Sequence, residues 1–475
     1  MSNTLEDLFQ LKNTPRFEDI KTTSTPFDIF RKLNHKFERA FIFESLDGPR
    51  ELVESSIIGF DPKYVISCDS NTLIVYQNNE IVFRIKTKDP LTIIKNHFPR
   101  IINNTIRYIG GLVGYFSYEA IQYWEKIPMK KCQSFPLIKL GWYEDGLVYD
   151  HKRKKLEYFY FNESRLKEIN RIIDGRISGL RKSPTSISSF RRSVTKNDFE
   201  SKVNLIKNNL RKGDIFQAVL SKKIKFIFDA NPILIYETLR KINPSPYMFF
   251  LRDGPKVILG ASPEMLLRIT NCEVETFPIA GSRPVSADSQ ITEKNKLELL
   301  SDPKEIAEHT MLVDLARNDL GKVCVFGSVI TPELMKVKKF SHVQHMVSHV
   351  VGKLDNKFDM FDAFKAVFPA GTISGAPKIR AMEIISMLEQ DSRGPYAGAI
   401  GYFSFNGGCD FAITIRSVFI DKNKCYTQSG AGIVIDSIPE KEYLETEAKS
   451  MAVISTLKSI SNINSISKDK SHRKD

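Results

Sequence analysis

Cysteine is scarce in this chain: six residues in 475, at positions 68, 132, 272, 324, 409 and 425, with no CxxC pair among them. That spacing encodes neither a zinc site nor a dense disulfide framework and points to a reducing cytoplasm. Long hydrophobic runs are missing as well. The most apolar stretches, Tyr108 to Tyr118 and Pro395 to Phe405, fall short of the ~18 residues a membrane-spanning helix needs. The amino terminus, MSNTLEDLFQLKN, has no apolar stretch of the signal-peptide kind, so a soluble cytoplasmic protein is expected. No GxSxG elbow, no HExxH pair and no 20- to 50-residue repeat occurs, which removes the commonest hydrolase, zinc-enzyme and solenoid readings. One charge sign is in excess: 69 Lys and Arg against 56 Asp and Glu, a net +13. Such an excess suits nucleic acid or an anionic substrate. The basic residues, however, cluster in a linker-like stretch and the tail without interleaved aromatics, so no nucleic-acid partner is expected.

Residues 38 to 160 alternate short apolar runs (ERAFIFESL, TLIVYQ, EIVFRIK, GLVYD, KLEYFYF) with turn residues, the pattern of antiparallel strands. A Ser/Arg/Lys stretch, RISGLRKSPTSISSFRRSVTKND, then lacks apolar periodicity and reads as a linker. Beyond it, helical patterns at 199–212, 232–241, 303–318, 360–367 and 440–458 interleave with strand-like PKVILGAS, YAGAIGYFSF and FAITIRSVFI. The fold class predicted is α+β, with a β-rich lobe over 1–180, a catalytic domain over 185–462 and a flexible basic tail over 463–475, where too few apolar residues remain to pack.

Several segments carry potential chemistry. Asp302, Pro303 and Glu305 form a capping-box signature that sets the start of a helix. On that helix Glu308 shares an arc with Met311, Leu312 and Leu315. A carboxylate on a core-facing arc is neutral, salt-bridged or bound to a cation, because burying it ionised and alone is costly. Ser437-Ile-Pro-Glu440 is a second helix-start signature, followed by Glu442, Glu445 and Lys449; the Glu445 to Lys449 spacing by itself reads as a solvated i,i+4 pair. Ser429-Gly-Ala-Gly432 precedes a strand-like run and offers backbone N–H groups to an anion. Gly371 to Lys378 resembles a phosphate loop superficially, but Ala376 and Pro377 separate Gly375 from Lys378, which leaves a tight turn or an anion site and excludes the nucleotide reading. His345 alone reads as an ordinary core histidine.

Taken in order, GDIFQAVLS (213–221), GASPE (260–264), PIAGSRP (278–284), KEIAEHTMLVDLARNDLGKV (304–323), SHVQHMVS (341–348), FPAGTISGAPKIRAMEII (368–385) and GAGIVIDS (430–437) resemble the chorismate-utilising enzymes over residues 25 to 460. Within that family the chain is similar to the anthranilate synthase large subunits. The resemblance implies a sandwich of two antiparallel sheets flanked by helices, and a lyase that converts chorismate and ammonia to anthranilate and pyruvate through an aminodeoxyisochorismate intermediate, the first step of tryptophan biosynthesis.

The resemblance also assigns residues. Glu308 and Glu445 match a Mg²⁺ site, suited to a hard cation that takes substrate oxygens. Glu264 matches the general acid for the departing hydroxyl, and His345 a residue of the pyruvate-eliminating stage. Gly281, Ser282, Tyr396, Arg416, Gly430, Ala431, Gly432 and Lys449 match substrate contacts, Arg416 with a donor fork suited to a carboxylate. Gln217 stands where water-using relatives have a lysine base, and Ala280 where aminodeoxychorismate synthases often have a nucleophilic lysine, which alanine cannot replace; 4-amino-4-deoxychorismate synthesis is the alternative activity, and Ala280 counts against it. Ser282 for threonine, Val285 for arginine and the Gly408-Cys409-Asp410 stretch depart from the usual pattern. None of the six cysteines lies in a GxCxGxQ-like elbow, so a separate glutamine amidotransferase subunit is the implied partner, in a heterodimer or heterotetramer. Phe43-Glu44-Ser45 and the segment containing Pro246, Tyr247 and Met248 match the family's site for tryptophan as feedback inhibitor.

Overall fold

The computed structural model describes residues 4–48, 54–101, 107–132, 134–175, 186–339 and 343–471, with side chains through residue 460. Two antiparallel sheets stack face to face. The first contains 13 strands, ordered Arg16–Ile20, Lys155–Tyr160, Asp145–Asp150, Ser55–Phe60, Arg39–Glu44, Tyr247–Asp253, Lys256–Ser262, Ser417–Asp421, Lys424–Ile433, Gln217–Asp229 and Ser186–Ile187, with two short strands also pairing on Gln217–Asp229. The second contains 12, ordered Ile279–Pro284, Val343–Lys353, Glu273–Thr276, Met265–Thr270, Cys409–Ile413, Ala399–Ser404, Gly111–Phe116, Ile138–Tyr143, Tyr64–Asp69, Thr72–Gln77 and Glu80–Lys86, with Ile330–Lys339 beside Val343–Lys353.

Strand alternation builds the layers. Phe41 faces the second sheet and meets Tyr143 at 5.0 Å between ring centroids, whereas its neighbours Ala40 and Ile42 join an outer core with helices Pro26–Lys36, Leu166–Asp174 and Ile233–Ile242. In the second sheet Tyr402 turns inward onto Tyr108 at 4.8 Å, and the adjacent Phe403 turns outward onto Phe361 of helix Met360–Val367 at 4.4 Å. A third apolar cluster joins helices Lys196–Arg211 and Lys378–Leu388 to the strands Gln217–Asp229 and Lys424–Ile433.

The five apolar runs predicted as strands between 38 and 160 are strands, and the five helical patterns are helices. The linker-like stretch contributes two-residue strands, Ser186–Ile187 and Arg191–Arg192, both on Gln217–Asp229. The expected lobe boundary between 180 and 185 lies outside the described residues; the chain on either side of it supplies strands to both sheets. The helix Pro439–Ser471 reaches into the tail that composition predicts to fray. FAITIRSVFI, read as one strand, is two: Cys409–Ile413 in the second sheet and Ser417–Asp421 in the first. Nothing in its composition announces the break, which contains neither glycine nor proline and places Arg416 at φ 50°. All six cysteines are free and only Cys272 is exposed. Among the described residues no helix is long and apolar enough to cross a membrane.

Candidate active site

The chain passes between the two sheets at Ser262-Pro263-Glu264, from strand Lys256–Ser262 to Met265–Thr270, and again at Thr414-Ile415-Arg416. The two crossings are tied together: the Ile413 amide donates to the Glu264 carbonyl at 3.1 Å and the Ala261 amide to the Arg416 carbonyl at 3.2 Å. Glu264 and Arg416 are thereby held as neighbours by backbone, on rigid strand ends.

Burial pushes the Glu264 carboxyl up to about 7, against the opposing influence of Thr372, Lys449 and Arg416. It is 7% exposed, and a pKa raised this far leaves it partly protonated at neutrality. The Arg416 guanidinium is held below its ordinary range by burial, with Glu264 opposing. Its side chain makes no hydrogen bond or ion pair with any described residue. Thr372, in the turn Gly371–Ile373, is a neighbour of the acid that the sequence reading did not single out.

Helix Pro303–Gly321 delivers Glu308. Asp302 caps it, accepting from the amides of Lys304 at 3.0 Å and Glu305 at 3.4 Å, with Pro303 in the first turn. Only half of the expected capping box forms, because the Glu305 carboxylate is taken by Arg283 at 3.0 Å. The core-facing arc is rotated from the one read: Leu312 is buried and Asp314 exposed, but Glu308, Met311 and Leu315 are half-buried, and the buried face runs through His309, Leu312, Val313 and Leu320. Glu308 Oε1 accepts from Gln217 Nε2 at 2.7 Å. Burial raises its pKa and the like charges of Glu305 and Glu445 add to the rise, while Gln217 and Lys304 oppose it.

Helix Pro439–Ser471 carries Glu445 and Lys449 one turn apart, 2.7 Å between Oε1 and Nζ. Ser437 does not cap this helix in the predicted way; its hydroxyl accepts from the Val434 amide at 3.1 Å. The pair is not merely solvated, since Lys449 Nζ also donates to the Gly430 carbonyl at 3.0 Å. Strand Lys424–Ile433 pairs with Gln217–Asp229 along its length but with Ser417–Asp421 only over 424–426. The other edge of 430–432 thus lacks a strand partner among the described residues. A Cβ at Gly432 would stand 2.5 Å from Gln217 Nε2 and 3.5 Å from Glu308 Oε1, and one at Gly430 would stand 3.1 Å from the Tyr396 hydroxyl, so both glycines keep this edge open. Ala431 turns away into the third apolar cluster, which leaves only its backbone for a ligand.

His345 lies on Val343–Lys353 opposite Ser282 on Ile279–Pro284. Its Nδ1 is 2.8 Å from the Ser282 hydroxyl and 3.1 Å from the Gly281 carbonyl. A carbonyl only accepts, so Nδ1 bears the hydrogen and the lone pair lies on Nε2. Burial holds this imidazole down to about 4, with Arg416 and Lys449 adding to the effect, so it is neutral at physiological pH. Gly281 has φ 65°, which favours glycine. Lys378, from the rejected phosphate loop, is a core tie: its ammonium donates to Asp319 at 2.6 Å and to the Val367 carbonyl at 2.9 Å. The buried pair Glu389 and Arg393 is a support that sequence spacing did not reveal; Arg393 donates to the carbonyls of Ile373 and Val219, both at 2.7 Å.

A second recess between the sheets is lined by Ser45, Pro246 and Tyr247 from the first sheet's side and Arg268, Tyr402 and Asp410 from the second's, with about 60 Å³ of free volume. Tyr247 donates to Asp410 at 3.0 Å, and Arg268 Nε reaches the same carboxylate at 2.9 Å. Met248 borders the recess, but its side chain belongs to the outer core with Phe250 on the opposite face from Tyr247, as strand alternation requires. Glu44 likewise turns outward, to Tyr236 at 2.8 Å and Arg240 at 2.6 Å.

Residues 7–455 match the model of the chorismate binding enzymes. The chain is 42% identical over 436 residues to anthranilate synthase component 1 of Methanothermobacter thermautotrophicus, covering 91% of this chain and 92% of the relative. It is 40% identical over 438 residues to that of Saccharolobus solfataricus, covering 91% and 97%. The crystal structure of anthranilate synthase component I from Streptococcus pneumoniae superposes with a TM-score of 0.75 at 35% identity, over 84% of this chain and 92% of that one. The menaquinone-specific isochorismate synthase of Escherichia coli shares the fold, with a TM-score of 0.72 at 18% identity over 95% and 98% of the two chains. With two stacked antiparallel sheets, the acid and the guanidinium at their crossings, and these relatives along nine-tenths of its length, the chain belongs to the chorismate binding enzyme family, among the anthranilate synthase component 1 proteins.

Proposed function

We propose that this protein converts chorismate and ammonia to anthranilate and pyruvate, and the observation that carries the reading is Arg416: a half-buried guanidinium, with no partner among the described residues, beside a carboxyl poised to donate a proton. Chorismate brings two carboxylates and a poor leaving group. Arg416 suits the enolpyruvyl carboxylate through its planar fork. Glu264 protonates the C4 hydroxyl, which leaves as water while ammonia adds at C2. Gln217, an amide already donating to Glu308, supplies no base to activate water, and ammonia needs none. Ala280, 8% exposed, cannot attack the substrate as a lysine would. In the second stage His345 is given the task of moving a proton as the enolpyruvyl group departs as pyruvate and the ring aromatises.

Glu308 and Glu445 are like-charged oxygen donors that act on one another, the donor chemistry of Mg²⁺; they would hold the cation, which would supply positive charge to the ring carboxylate. The component 1 relatives imply a second component, and the reading includes a glutamine amidotransferase subunit as the ammonia source. Tryptophan, as product-end inhibitor, is placed at the Ser45 and Tyr247 recess. The test is incubation of the purified chain with chorismate, Mg²⁺ and an ammonium salt at alkaline pH. Fluorescent anthranilate is expected, and glutamine alone should not replace ammonium. Consumption of chorismate without anthranilate would overturn the reading in favour of 4-amino-4-deoxychorismate.

A further inference from the structure

Lys222 and Lys223 are successive residues of strand Gln217–Asp229 and point to opposite faces. Lys222 is fully satisfied: its ammonium is 2.6 Å from the Glu447 carboxylate and 3.3 Å from the centre of the Tyr443 ring. Lys223 is not. It is 9% exposed, its ammonium lies 4.4 Å from the centre of the Tyr426 ring, and it makes no side-chain hydrogen bond or ion pair with any described residue. Asp391 and Glu119 act on it through space, but both are otherwise engaged. Lys225 holds Asp391 at 2.8 Å, and Glu119 accepts from the Arg393 and Gly394 amides and the Cys132 thiol.

This ammonium opens into a recess of about 650 Å³, within the range of small-molecule sites. The recess is separate from the active site and from the Ser45 recess, sharing no lining residue with the latter. Arg191, Lys131 and Lys424 stand at its border without an ion pair among the described residues, and its other carboxylate, Asp421, faces Lys256 at 3.5 Å. The wall therefore presents cations whose negative partners are elsewhere, with one of them buried. Burying an ammonium without a bonded counter-charge is unfavourable and lowers the Lys223 pKa; an anion in the recess would offset that cost.

We propose that this recess binds a small polyanion of the phosphate or polycarboxylate type, with the Lys223 ammonium as its buried contact and Arg191 and Lys424 closing on it from the border. Lysine serves well as a point-charge ligand for such groups. The aromatic floor of Phe135, Phe226 and Tyr426 lowers the local dielectric and strengthens the attraction.

The test uses the full chain without Mg²⁺. Inorganic phosphate and citrate are titrated calorimetrically and by thermal shift, each against sodium chloride of equal ionic strength to remove general screening. Saturable binding of at least one anion is expected, and the tighter of the two identifies the ligand type. Lys223→Met keeps the stem and removes the charge, and should weaken binding by ~10-fold or more, the usual effect of losing a hydrogen bond to a charged group. Arg416→Met should bind as wild type does, which separates this recess from the active site. Should Lys223→Met not fold, Arg191→Ala with Lys424→Ala, both at the border, must weaken binding instead. Absence of saturable binding, unchanged affinity in these variants, or loss of binding in Arg416→Met would each overturn the proposal.

Discussion

Two recesses lie between the sheets, and they treat charge in opposite ways. Around Tyr247, Asp410 accepts from both Tyr247 and Arg268, and Arg268 is further flanked by Glu275 at 3.7 Å, so the buried charges close on one another. Around Glu264 they do not: the acid is kept protonated by burial, Arg416 has no partner among the described residues, and Glu308 faces other carboxylates. A closed network stabilises one arrangement of the fold. An open one holds charges in place for a ligand to complete, at the expense of stability. The two can be distinguished by substitution, since removing a charge from the open site should damage turnover and spare the fold, while the reverse holds in the closed one.

The largest effect on turnover is expected at the carboxylate pair. Glu308→Gln or Glu445→Gln should abolish turnover at limiting Mg²⁺, because each removes one of two charged ligands from a cation with few protein ligands. Anthranilate fluorescence across a Mg²⁺ titration measures this, and more than half of wild-type activity in either variant would remove the metal assignment. Glu264→Gln should follow, losing ~10²- to 10⁴-fold in kcat. Its pH behaviour sharpens the comparison. Glu264 is raised from 4.5 to about 7 on folding, so the folded chain binds this proton more tightly than the unfolded one. The associated stability is complete below about 4.5 and is lost as pH rises through about 7. Glu264→Gln should therefore be less pH-sensitive and, at pH 8, more stable than wild type by ~3 kcal/mol, as read by denaturant titration. In the wild type, turnover corrected for free ammonia should fall tenfold per pH unit above the acid's pKa.

In the closed network, Arg268→Met should leave Asp410 and Glu275 without their cation and cost ~3 kcal/mol, seen as a lower Tm, while the bulk of methionine keeps strand Met265–Thr270 from shifting and the folded fraction keeps its kcat. Arg416→Met should lose ~10- to 100-fold in kcat/KM, the effect of losing charge-assisted bonds to a carboxylate, with no loss of Tm. If instead Arg416→Met melts early and Arg268→Met loses kcat, the distinction between open and closed sites fails.

Local periodicity made the strands and helices legible, because apolar alternation and the 3.6-residue arc report burial whichever sheet a strand joins. It could not report the crossings. FAITIRSVFI is rich in strand-forming residues on both sides of the point where the chain changes sheets, and the strain is carried by Arg416 at φ 50° with no glycine to mark it. The same limit hid the neighbourhood of Glu264 and Arg416, since two hydrogen bonds between residues about 150 apart in the chain create it. Glu308 was legible as an anomaly, a carboxylate on an apolar arc, but its neighbour across the site was not: Glu445 has ordinary surface spacing to Lys449, and only the fold brings it to face Glu308. At Met248 the motif match named a residue that does border the recess, and the strand's two-residue period adds that its side chain lies on the other face.

The smallest effect on basal turnover is expected at the second recess, where Ser45→Phe tests tryptophan control. Ser45 borders a space of about 60 Å³, room for a few waters and less than an indole, so tryptophan must displace side chains from the closed Tyr247, Asp410 and Arg268 network to enter. Strands of both sheets line the recess, and Met265–Thr270, which carries Arg268, continues directly from Glu264. A ligand that parts this network shifts the strand that positions the acid, and linkage then requires tryptophan and chorismate to weaken each other's binding reciprocally. A phenylalanine at position 45 occupies the entrance without touching the active site. It should leave uninhibited turnover within about twofold of wild type, since Ser45 makes no side-chain hydrogen bond among the described residues and surface changes of this kind are energetically small. It should raise the tryptophan concentration needed for half inhibition by ~10-fold or more, as filling a pocket removes the ligand's buried contacts. Tryptophan titration of both proteins at one chorismate concentration decides it: equal inhibition of the two would place tryptophan somewhere other than this recess.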